Sequence, residues 1–173
     1  MIEMKVAGIA LDATRRSPII LLRDEAERRA IPIYISQEQA RSIISILEDQ
    51  VPPRPMTHDL MANIIDAWEM DLDSVVIHSL EDNTFFATLK LSLGDETREL
   101  DARPSDAIAL ALRLEAPIWV LEEVIADASI PVDQEADEAE RQEFRAMLDR
   151  LSPQALIDRS GKGNSTTLDD VQD

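Results

Sequence analysis

Ser74-Val75-Val76-Ile77-His78-Ser79-Leu80-Glu81-Asp82-Asn83-Thr84-Phe85-Phe86-Ala87-Thr88-Leu89-Lys90-Leu91 places two runs of β-branched, aromatic and aliphatic residues on either side of a short polar break. Asp and Asn tolerate positive φ, so Asp82-Asn83 suits the two-residue loop of a tight hairpin. With that loop, Leu80 is expected to face Phe85, His78 to face Ala87 and Val76 to face Leu89. One face then holds Val76, His78, Leu80, Phe85, Ala87, Leu89 and Leu91 and becomes the core side, while Val75, Ile77 and Phe86 fall on the outer side. Gly94-Asp95 makes a second turn, and residues 96–102 return as a third antiparallel strand with Lys90 opposite Glu99. The centre of the chain is a β-meander.

Upstream, residues 4–11 and 18–22 read as strands joined by a polar loop, and residues 31–35 as a third short strand. Ser36 and Gln39 form a Ser-x-x-Gln capping box, and Ala40, Ile43, Ile44 and Leu47 recur at helical spacing, which predicts an amphipathic helix over 36–50. Pro52, Pro53 and Pro55 stop it. Thr57 is the expected N-cap of a second helix whose apolar stripe is Leu60, Met61, Ile64, Ile65 and Trp68. Downstream of the meander, Pro104 fits the first turn of a helix. Ala107 to Leu114 is apolar almost all round, as expected of a helix buried against a sheet. A short strand over 118–121 and a short helix over 122–128 follow. The expectation is an α+β fold with a largely antiparallel sheet packed with helices. Residues 1–130 form one compact domain, and residues 131–173 an acidic helical tail with a disordered end.

The 173 residues carry 17 basic and 35 acidic side chains, a net charge of −18, and no cysteine. Disulfides, zinc fingers and thiol nucleophiles are therefore excluded. The acidic excess argues against a broad basic patch for nucleic acid, so any phosphate chemistry depends on a local site. The N-terminus lacks the basic-then-apolar pattern of a secretion signal and no run reaches membrane-span length, so the protein is read as cytoplasmic, with no membrane partner.

His78, on the expected inner face of the hairpin, reads as a structural histidine. His58 lies between Thr57 and Asp59 at a helix start, just after a Pro-rich turn carrying Arg54. It reads equally as an exposed first-turn residue or as a base or ligand. Asp101-Ala102-Arg103-Pro104-Ser105-Asp106 sits at a strand-to-helix junction, where capping and ion pairing are the ordinary roles of such residues. If these pieces converge, the inventory suits phosphodiester hydrolysis: His58, Asp59, Asp101, Arg103 and Asp106 as catalytic residues, and Arg54 and Arg103 as the clamp on phosphate. Asp59, Asp101, Asp106 and Glu122 would be the oxygen ligands of a divalent ion, Mg²⁺ or Mn²⁺.

These residues also carry a family resemblance. Pro52-Pro53-Arg54-Pro55-Met56-Thr57-His58-Asp59-Leu60, the Asn83-Thr84-Phe85-Phe86-Ala87 hairpin, Asp101-Ala102-Arg103-Pro104-Ser105-Asp106-Ala107, and Ala116-Pro117-Ile118 with Glu122-Glu123-Val124 stand in an order and spacing that resembles the bifunctional nuclease family. Asn83 stands where that family's hairpin usually has Gly. The resemblance implies a compact α+β fold that self-associates and a nuclease acting on both RNA and DNA. The rival reading is a non-enzymatic oligomeric regulatory or small-anion-binding module. A homo-oligomer, a dimer first, is expected on either reading, because Val75, Ile77 and Phe86 would leave an apolar outer strand face.

Overall fold

The computed structural model describes residues 1–12, 14–26 and 28–131. Its elements run β1 (Ile2–Leu11), β2 (Pro18–Asp24), β3 (Arg29–Tyr34), α1 (Gln37–Leu47), α2 (Thr57–Ala67), β4 (Asp71–Glu81), β5 (Thr84–Leu93), β6 (Glu96–Ala102), α3 (Pro104–Leu114), β7 (Ile118–Val120), α4 (Glu122–Ala128) and β8 (Ile130–Pro131). The fold is α+β. The strands form one sheet in the order β6-β5-β4-β7-β1-β2-β3-β8. Every pairing is antiparallel except that between β4 and β7. β7 joins the N-terminal three-strand unit to the central meander by pairing with β1 on one side and β4 on the other. Apart from Pro131, the tail expected over 131–173 lies outside the described residues. Among the described residues no helix is long and apolar enough to cross a membrane.

Local chemistry explains most of the boundaries. Ser36 caps α1, its hydroxyl accepting the Gln39 N–H at 3.3 Å while the Gln39 side chain accepts the Ser36 N–H at 2.8 Å. Ser36→Ala should therefore lower stability by about 1 kcal/mol, read as a drop of about 2–4 °C in Tm; an unchanged melt would mean the cap adds nothing. Asp82 and Asn83 both have positive φ (47° and 59°), as the tight hairpin requires. Lys90 pairs with Glu99 at 3.1 Å, in the expected register. Pro104 opens α3, and Glu115 in the left-handed region (φ 53°) closes it ahead of Pro117.

Three expectations are corrected. The hairpin register holds at Leu80–Phe85 but shifts between Ile77 and Ser79, so Ile77, not His78, faces Ala87, and Val75, not Val76, faces Leu89. This irregularity carries the half-buried His78 out of the ladder and turns Val75 and Ile77 into fully buried core residues beside Ala87 and Leu89. The bulge resolves a conflict in the pattern: a strict two-residue alternation from the turn would have buried His78 and exposed two β-branched residues. The apolar outer face expected from Val75 and Ile77 does not form. Second, the N-cap of α2 is Met56, one residue before Thr57, and the Asp59 carboxylate accepts the Met56 N–H at 2.7 Å. Third, the stripe Leu60, Met61, Ile64 and Trp68 is exposed, and α2 packs inward through Ala62 and Ile65.

The core is built mostly of Ile, Val, Leu and Ala from the strands and from all four helices, α2 adding only Ile65 to the cluster. α3 touches β4 and β5 of the sheet and both α1 and α2. Its residues from Pro104 to Ala111 are buried apart from Asp106, which is half-exposed at the helix start. This central position brings both ends of α3 against the other two helices.

Candidate functional site

Two polar clusters tie the three helices together. The first begins on α1 with Ser42, whose Oγ lies 2.8 Å from Nδ1 of His58 in the first turn of α2. The other ring nitrogen, Nε2, lies 3.1 Å from Oδ1 of Asp106 in the first turn of α3. The second oxygen of Asp106 accepts a 2.6 Å bond from Nε of Arg103, the residue that caps α3. Since a carboxylate only accepts, Nε2 carries the proton that bonds Asp106, and in the neutral ring Nδ1 accepts from the Ser42 hydroxyl. Ser42, His58, Asp106 and Arg103 thus form one continuous chain. The His58 side chain is 14% exposed and that of Arg103 is 72% exposed, so the chain runs from the helix packing out to solvent. The Nη groups of Arg103 bond no described residue and belong to an exposed side chain.

The second cluster is centred on Arg113 at the other end of α3. Its side chain runs back along its own helix, as helical side chains do, so that Nη1 donates to the Ala109 carbonyl at 2.9 Å. Nε donates to Oδ1 of Asp59 at 2.7 Å, and Nη2 to the Ser42 carbonyl at 3.2 Å. Burial pushes the Asp59 carboxyl up, but the Met56 N–H and the Arg113 guanidinium together outweigh it and hold the group below the ordinary aspartate value. Ser42 belongs to both clusters, one through its hydroxyl and the other through its carbonyl.

Of the residues expected to act together, His58, Arg103 and Asp106 are directly bonded, and Asp59 is joined to them through Arg113 and Ser42. Asp101 is exposed on β6 opposite Thr88, and Arg54 is exposed in the Pro-rich turn; neither bonds either cluster among the described residues. Glu122 pairs with the Met1 ammonium at 2.9 Å, a contact that holds its carboxyl below the usual range. The set Asp59, Asp101, Asp106 and Glu122 is not gathered around a common point: among the described residues no three His, Asp or Glu side chains are grouped to hold a metal ion. The physical reason is that both oxygens of Asp59 and of Asp106 already serve N–H donors or cations. What the structure presents is the exposed Asp101 carboxylate. A Mg²⁺-class ion needs only one or two carboxylates when substrate phosphates complete its shell.

Ser42 and Arg113 were not singled out from the sequence. Arg113 had a signal, being a charged residue in the otherwise apolar stretch Ala107–Leu114, and a buried charge needs a partner. Ser42 had only its polarity beside an apolar helical stripe.

The bifunctional nuclease domain family model matches residues 20–133. An uncharacterized protein of Mycobacterium tuberculosis is 37% identical over 159 residues, covering 87% of this chain and 95% of that protein. Bifunctional nuclease 1 of Oryza sativa subsp. indica is 23% identical over 126 residues, 71% of this chain and 38% of its own length. Bifunctional nuclease 2 of Arabidopsis thaliana is 26% identical over 107 residues, 60% of this chain and 32% of its own length. The matched segment takes in all three helices that carry the two clusters, and with it the chain belongs to the bifunctional nuclease domain family.

Proposed function

We propose that this protein is a nuclease that hydrolyses phosphodiester bonds of RNA and DNA with little sequence preference and works as a homodimer. The observation that carries the reading is the bonded chain Ser42–His58–Asp106–Arg103, which ends in an exposed guanidinium anchored at one edge. Anchoring through Nε turns the Nη edge toward solvent, where it can offer two donors to a phosphate, and lowers the ordering cost when substrate arrives. Arg103 is the clamp on the scissile phosphate. Asp106 and His58 position Arg103, and the imidazole is the group of the chain whose two nitrogens can both donate and accept a proton. Asp59 positions the start of α2 through Arg113. A Mg²⁺ or Mn²⁺ ion would be held by Asp101 together with substrate phosphates, and would supply charge neutralisation that the −18 protein lacks.

The rival, a non-enzymatic small-anion-binding module, draws on the engagement of both His58 ring nitrogens, which leaves no unbonded base in the resting site. One assay separates the two. Purified protein is incubated with single-stranded RNA and DNA in Mg²⁺ or Mn²⁺ and in excess EDTA. Cleavage of both polymers, abolished by EDTA and slowed only about three- to sevenfold between 50 and 200 mM salt because few phosphates are gripped, is the expected result. No cleavage under any condition gives the binding module the lead. Cleavage that survives EDTA removes the metal from the proposal.

A further inference from the structure

α2 turns only Ala62 and Ile65 into the core. Its outward ridge carries Leu60, Ile64 and Trp68 at four-residue steps, 54%, 47% and 71% exposed, with exposed Met56 one step before them and exposed Met61 alongside. Apolar side chains concentrated on one ridge are a patch, unlike single exposed leucines. Covering them would remove on the order of 600 Å² from solvent per copy, close to the roughly 800 Å² per partner of a standard stable interface.

We propose that this ridge packs against the same ridge of a second copy of the chain, with the two α2 helices antiparallel across a two-fold axis near the middle of the stripe. The inference rests on the self-association stated above and is independent of the nuclease reading. Two observations select a second copy. The stripe is self-complementary: an axis midway between Leu60 and Ile64 sets those residues opposite each other across the pair, and sets Met56 opposite Trp68, a favourable sulfur–aromatic match, at both ends. The flanking charges agree. Exposed Arg54 precedes the helix and exposed Glu69 follows it, so the antiparallel arrangement brings Arg54 of each copy toward Glu69 of the other, whereas a parallel one would oppose like charges. His58 and Asp59 are half-buried at the start of the same helix, so the interface stands next to the candidate site and leaves Arg103 exposed.

Light scattering on the full chain, with iodide quenching at low and high concentration in which the Trp68 signal is taken as the difference between wild type and Trp68→Phe because Trp119 also fluoresces, tests this. The expected result is a species of about twice 19.4 kDa in which Trp68 becomes shielded as concentration rises. Leu60→Glu and Trp68→Ala should each weaken association by at least about 30-fold, as hot-spot side chains do. Because both sites are exposed, the circular dichroism should stay unchanged, while the melting temperature falls only by the stabilisation that association itself supplies. Leu100→Glu, at an exposed leucine of β6, should leave the dimer intact. A wild-type monomer with Trp68 open to iodide overturns self-association itself. A wild-type monomer with Trp68 shielded means that other residues of the chain cover the ridge, and the proposal fails. A dimer that persists in both α2 variants leaves self-association standing and overturns this surface.

Discussion

Arg103→Ala is expected to lower the rate of phosphodiester cleavage by about 10²- to 10³-fold, the usual cost of removing one pre-oriented stabiliser of transition-state charge. The same change should barely alter the melting temperature. The side chain is 72% exposed and makes no side-chain capping bond to α3, so what is lost structurally is a mostly solvated ion pair with Asp106, worth about 0–1 kcal/mol. Activity and stability are thus predicted to separate at this position. Asp106→Asn should follow in the same direction, because the amide cannot hold both the Arg103 guanidinium and the His58 N–H with the strength of a carboxylate. Arg103→Lys should recover only a minor part of the rate, since an ammonium cannot be anchored at one edge and offer two further donors in a plane. Initial rates on labelled single-stranded oligonucleotides at fixed salt, each beside a thermal melt, provide the check. Full activity in both Arg103→Ala and Asp106→Asn would assign the cleavage to another site or to a contaminant.

Asp59→Asn is expected to have the opposite profile, a large loss of stability. The partner it deserts, Arg113, has a side chain only 5% exposed and fixed by two carbonyls that cannot neutralise it. Stripping a buried charge of its counter-ion costs about 3–5 kcal/mol, and even the lower figure is a fall of about 6–12 °C in Tm for a chain of this size. Asparagine can still accept the Met56 N–H, so the variant isolates the ion pair from the helix start. Pairing Asp59→Asn with Arg113→Met should return part of the loss, because an unpaired buried charge is worse than an apolar substitute. The pH dependence has a definite sign. The folded-state pKa of Asp59 is depressed below 3.8, so its contribution is fully present above the unfolded value and is lost as pH falls through the folded one. Between pH 7 and 5 the difference between wild type and variant should stay level, and below about pH 4 the two stability curves should converge. Parallel curves throughout would show that the pair adds nothing.

Much of this architecture was legible because it is written in local chemistry. Ser36 and Gln39 cap a helix wherever they stand three residues apart, Asp82-Asn83 supplies positive φ, and Gly94 and Pro104 punctuate the meander and the helix after it. Once the Gly94-Asp95 turn was placed, the pairing of Lys90 with Glu99 followed from counting. The core side of β4 did not follow. Between a regular ladder that buries His78 and a bulged one that buries Val75 and Ile77, the choice depends on the apolar surface recovered when the sheet closes on α3 and α4, a quantity no window of sequence contains.

The candidate site divides in the same way. The sequence by itself determined the identity of its groups, their positions at helix starts, and the exclusion of thiol chemistry and of a broad basic surface. Only the tertiary structure decided which groups meet. His58 and Asp106 are 48 positions apart, Asp59 and Arg113 are 54, and the Ser42 carbonyl and Arg113 are 71. Periodicity and capping act within a few residues, whereas these partners are chosen by the packing of α3 against α1 and α2. That packing also spent the carboxylates of Asp59 and Asp106 on ion pairs and turned the Leu60–Trp68 ridge outward, because α2 needed only Ala62 and Ile65 to seal against the fold.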